Sequence, residues 1–166
     1  MPSIVAGRGC GVADDWESTK AFEEAARRRA DLHHALVEVE RCSSRPAAGR
    51  VDAWTDDLSK HLTILRDSID EHIEVTERPG GLYEEILQRA PRLAAQVDRL
   101  REEHPALRDP AADLIERLHS TPIGQGWPLA QVRDDVQRLL GKIVKHRQQG
   151  ADLVWEAYNL DIGGIE

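Results

Sequence analysis

Between positions 54 and 69, Trp54, Leu58, Leu62, Leu65 and Ile69 are spaced by four, four, three and four. A strand would alternate with a period of two. These spacings instead put all five side chains on one stripe of an α-helix, and that stripe needs a partner to cover it. Three more segments repeat the pattern. The first spans about 16–41, with Phe22, Ala25, Ala26, Leu32, Leu36 and Val39 on one side. Another runs from Leu82 to about His119, with Leu93, Val97, Leu100 and Leu107 inward. The last spans about 129–157 and carries Val132, Val136, Leu139, Ile143 and Leu153. "CSSRPAAGR", "RPGG" and "STPIGQGWP" separate them, with Pro and Gly as the stops. Pro91, Pro105 and Pro110 predict a kink or a break inside the third segment. Four amphipathic segments joined by short breaks predict an all-α fold, an antiparallel up-down four-helix bundle over residues 16–166. Residues 1–15, rich in Gly and small side chains, read as a flexible arm.

At 166 residues the chain fits one domain that can bury a core. The formal charge of −8 argues against nucleic acid as a partner, and "ARRRA" at 26–30 reads as a solvated helix face. No apolar run reaches the length of a membrane span. The N-terminus lacks the charged start and apolar middle of a signal peptide, so the expected location is cytoplasmic. Cys10 and Cys42 have no CxxC spacing; they read as two reduced thiols, with a disulfide between them left open. "GRGCG" at 7–11 follows no strand and makes no phosphate loop. No nucleophile–base arrangement is recognisable, so the chain is not expected to be an enzyme. A protein partner stays open and unnamed, as does the oligomeric state. Trp127 and Trp155 are apolar positions that suit either dimer contacts or completion of the core.

Seven histidines are present. At 100° per residue His72 joins the stripe of Leu58, Leu65 and Ile69. His104 joins that of Val97, Leu100 and Leu107, and His146 that of Leu139, Ile143 and Leu153. His61 also lies on the second stripe. His33 sits at the rim of the first, while His34 points away. One inward histidine is usually a core residue satisfied by a hydrogen bond. Three on three separate helices point to a metal site in the bundle interior.

The stretches "LRDSIDEHIEVTERPGGLYEEI", "VDRLREEHPAL" and "LLGKIVKHRQQGADLVWEAYNLDIGG" resemble the hemerythrin-like, or HHE cation-binding, family over roughly residues 20–163. The resemblance implies a four-helix bundle that holds two non-haem irons and binds or senses oxygen, nitric oxide or iron. It puts His72, His104 and His146 on metal-ligand positions. It also calls for a glutamate four residues after His72 and another after His146, where this chain has Thr76 and Gly150. For the family's first-helix histidine the candidates are Arg29, the position given by spacing, and His33 or His34.

The departures bear on charge. Two irons need anionic bridges inside a protein, and Thr76 and Gly150 supply none. A guanidinium about 4 Å from a divalent ion costs on the order of 8 kcal/mol at an effective dielectric near 20. Arg29 and a full di-iron centre are therefore mutually opposed. Three readings remain open. In the first, Arg29 fills the space left by the missing carboxylates, accepted by Glu77, Glu74 or Asp152, and the bundle is a metal-free interaction module. In the second, Glu77 joins His72, His104 and His146 around a single zinc or iron ion. The third is the family's di-iron site, with His33 as a further ligand.

Overall fold

A computed structural model describes residues 19–159. The described chain is all-α: α1 Lys20–Ser44, α2 Val51–Glu77, α3 Leu82–Arg89, a 3-10 turn Pro91–Leu93, α4 Ala94–Ser120 and α5 Leu129–Asn159. The only β pairing among the described residues is one isolated bridge, Ile123 to Trp127. None of the described helices is long and apolar enough to cross a membrane. The expected arm at 1–15, Cys10 and the start of the first segment at Trp16 lie outside the described residues.

Local chemistry sets the boundaries. Thr19 caps α1 by accepting from Phe22 N at 3.2 Å. After α2, Gly80 takes φ of +73° and so turns the chain at "RPGG", a conformation that a Cβ would strain. The third segment breaks at Ala90–Pro91, giving α3 and α4. Pro105 and Pro110, by contrast, lie inside an unbroken α4. The carbonyls they leave without a helical donor belong to Arg101 and Ala106, both on exposed residues where water can replace the lost bond.

α1 packs on α2 and α5, and α4 packs on the same two helices. The apolar stripes meet in two clusters. The larger holds Leu32 to Cys42 of α1, Trp54 to Ile69 of α2, Leu107 to Leu118 of α4 and Val132 to Ile143 of α5. The smaller holds Ala25 of α1, Val75 of α2, Leu82 to Ile86 of α3, Leu93, Val97 and Leu100, and Leu153 and Ala157 of α5. Trp127 completes the larger cluster, fully buried, with Nε1 donating to Asp135 Oδ2 at 3.0 Å. Trp155 stays 56% exposed, so of the two tryptophans Trp127 alone completes the core.

Candidate metal centre

The histidines mark the seam between the two clusters. On α2, His72 falls between Ile69 of the larger cluster and Val75 of the smaller. On α4, His104 falls between Leu100 and Leu107; on α5, His146 falls between Ile143 and Leu153. Each imidazole is carried inward by the same helical period that buries its apolar neighbours. His72 is 8% exposed, His104 and His146 2% each.

One ligand atom from each of the three rings lies within 4.8 Å of the others. The rings are close and steeply inclined, with centroids 5.0–5.4 Å apart. His72 Nε2 and His146 Nε2 are 3.2 Å apart. Two nitrogens about 2.0–2.1 Å from a shared ion at the tetrahedral angle would stand ~3.4 Å apart, so the pair already has the spacing of co-ligands.

The outward nitrogens fix the tautomers. His146 Nδ1 donates to Glu103 Oε2 at 2.9 Å, and His104 Nδ1 donates to Glu77 Oε1. A carboxylate only accepts, so both rings carry their proton on Nδ1 and turn a bare Nε2 lone pair inward. Carboxylates orient the histidines of metal sites in this way. Tyr83 OH lies 3.4 Å from His104 Nε2 and stacks on its ring. His72 differs from its neighbours: its Nδ1 is buried with no partner.

Electrostatics keeps the cluster neutral. Burial, and then the neighbouring His146 and His104, push the His72 pKa down to about 3, and Arg29 and Arg147 add to the shift. Burial also lowers His104 and His146, against the upward pull of Glu77 and Glu103. Neutral imidazoles are the form that binds a metal.

Beside the cluster lies a cavity of about 20 Å³, room for about one water. Ala25, Arg29, His72, Thr76, His146, Arg147 and Gly150 are among its walls. The space that glutamates at 76 and 150 would occupy is thus partly empty. Thr76 turns its hydroxyl to the backbone, donating to His72 O at 2.9 Å.

Other sequence expectations need correction. Arg29 is half-buried on the cavity wall, but its expected acceptors are engaged elsewhere: Glu77 with His104, Glu74 with Arg78, Asp152 with Gln148. Glu77 sits behind the His104 ring, on its Nδ1, and outside the group of inward nitrogens. His33 is exposed, accepts from Arg147 Nη1 at 3.1 Å and is not one of the three grouped histidines. Glu103, Tyr83 and Arg147 escaped the sequence reading. Two of them adjoin inward histidines in the chain, Glu103 before His104 and Arg147 after His146, and that adjacency is the one signal that could have found them.

Compared with protein-family profiles, curated protein sequences and solved structures, the chain has no match. Three buried histidines able to hold a metal ion are the chemistry that the site itself carries.

Proposed function

We propose that this chain is a hemerythrin-like, antiparallel up-down four-helix bundle that holds one zinc or iron ion on the Nε2 atoms of His72, His104 and His146. It acts as a metal-binding or sensing module with no catalysis of its own. Cluster membership supports the topology. α2 and α5 run from the larger apolar cluster to the smaller, while α1 and α4 run from the smaller to the larger.

A single observation carries the metal reading: His104 and His146 both spend their Nδ1 proton on a carboxylate, Glu77 and Glu103. Two inward lone pairs beside a third imidazole repel one another unless a proton or a cation lies between them. Three neutral nitrogens with an open fourth position suit zinc or ferrous iron. A second metal has nothing to bridge it, since Thr76 and Gly150 replace carboxylates and Arg29 and Arg147 bring positive charge to that side.

One observation favours a metal-free reading. His72 Nε2–H can donate to His146 Nε2 at 3.2 Å while Tyr83 OH serves His104 Nε2, so two of the three inward contacts can close without an ion. Elemental analysis of the full chain, purified without a metal-affinity tag, separates the readings. One zinc or iron per chain, lost in a His72→Ala variant, is the expected result. Two irons with charge-transfer bands would restore the di-iron reading. A folded, colourless protein that takes up no metal on titration would leave the interaction module.

A further inference from the structure

On the α1/α5 side of the histidine layer, three groups lack the partners their chemistry calls for. Arg29 and Arg147 both border the cavity, and neither makes an ion pair with a carboxylate among the described residues. Arg147 gives Nη1 to His33, and its Nε is buried with no partner. The two cations also act on each other, Arg147 opposing the charge on Arg29. The third group is His72 Nδ1, buried without a partner although its ring lines the same cavity. Two half-buried guanidinium groups without a carboxylate partner, beside a buried unpartnered nitrogen, make a seat suited to an anion.

The three histidines are not equivalent. His104 has Glu77 behind it and His146 has Glu103; His72 has no such acceptor. We propose that the missing acceptor is exogenous: a small carboxylate-type anion, formate or bicarbonate, seats between Arg29 and Arg147 and accepts from His72 Nδ1. The inference rests on the three-histidine metal reading, and the tautomers make the link. Without a metal, His72 keeps its proton on Nε2 to reach His146, and its Nδ1 is a bare lone pair that repels an anion. With His72 Nε2 committed as a ligand, the proton sits on Nδ1, a buried and unpartnered donor on a ring that lines the cavity. Anion and metal therefore favour each other, and by linkage each strengthens the other by the same factor. The cavity admits about one water-sized group. That suits one oxygen of formate or bicarbonate, with the rest between the guanidinium groups, and disfavours sulfate or phosphate.

The test uses the full chain, metal-stripped, with cobalt(II) titrated against a chromogenic chelator in anion-poor buffer. The same titration is then run with formate, bicarbonate, chloride or sulfate. Formate or bicarbonate should tighten cobalt binding tenfold or more, and sulfate should leave it within twofold. An Arg29→Gln/Arg147→Gln variant, with its helicity verified, should lose the formate effect. It should also bind cobalt more tightly than wild type in anion-poor buffer, because two cations have left the metal's surroundings. Carbon-13 line broadening of labelled formate by the wild type, only when metal is present, gives a reading independent of the variant. Cobalt uptake that is equal in every anion, or equally enhanced by chloride, overturns this inference and leaves the metal reading standing. No uptake in any buffer overturns both.

Discussion

His72 and His146, 74 residues apart in the chain, meet Nε2 to Nε2 at 3.2 Å in the interior of the fold. With His104 they form a neutral layer whose protonation is opposed by burial and by mutual repulsion. The folded pKa values lie below the ordinary histidine value of about 6.5. Above that value neither state binds the proton and nothing is lost. As pH falls below it, the unfolded chain takes up protons that the folded chain refuses.

The metal-free protein should therefore lose stability from about pH 6.5 down toward 3, the folded value for His72. Each histidine adds a slope of at most ~1.4 kcal/mol per pH unit. Urea melts at pH 7.5, 6, 5 and 4 would show it. A midpoint that is flat across this range would mean that the rings are not buried as neutral groups.

Glu77→Gln and Glu103→Gln keep the size of the outer partners and remove the carboxylates that hold the His104 and His146 tautomers. Each should weaken metal binding by about 10- to 100-fold with the helical content unchanged. Competition with a chelator, alongside circular dichroism, reads both quantities.

Replacing His72, His104 and His146 together by Leu should abolish metal binding and leave a metal-free protein as stable as the wild type or more so. A buried polar set commonly costs more than hydrocarbon of similar volume. His146→Ala alone should be worse than the triple variant, by about 2–4 kcal/mol, because it leaves a cavity and removes the partner of His72. Denaturant titration of both proteins without metal gives the order.

Gly150 occupies a helical position where an added Cβ meets nothing within 4 Å. Gly150→Ala should raise stability by about 1 kcal/mol, the helix-propensity difference. A destabilised variant would indicate that the glycine serves the cavity.

Trp127→Ala should cost about 3–5 kcal/mol, since the ring is fully buried, stacked under Arg117 and tied to Asp135. Trp155→Ala should change stability by less than about 0.5 kcal/mol. Comparing the two thermal melts checks both.

The helices and the inward histidines were legible because both follow from one period. Trp54, Leu58, Leu62, Leu65 and Ile69 lead along the stripe of α2 to His72. What stayed hidden depends on distances between helices. Nothing local says that Glu103 of α4 reaches His146 of α5, or that Glu77 turns to His104 rather than inward. The fate of Arg29 was hidden for the same reason, because a long side chain at a half-buried position is placed by its neighbours. The break expected in the third segment falls at Pro91, while Pro105 and Pro110 stay inside α4, because the cost of a helical proline depends on solvent access to the freed carbonyl, which one sequence does not reveal.

The imidazole seam between the two apolar clusters also acts on alignment. Sliding α4 or α5 by a single turn would push a ring toward hydrocarbon, stranding its nitrogens, and could leave Leu100 or Leu107 facing Glu77, or Ile143 facing Glu103. Leucine stripes alone would tolerate such slippage, since one methyl surface resembles the next. The histidines thus serve as a height gauge for the packed rods, and that duty persists whether or not any ion is ever bound.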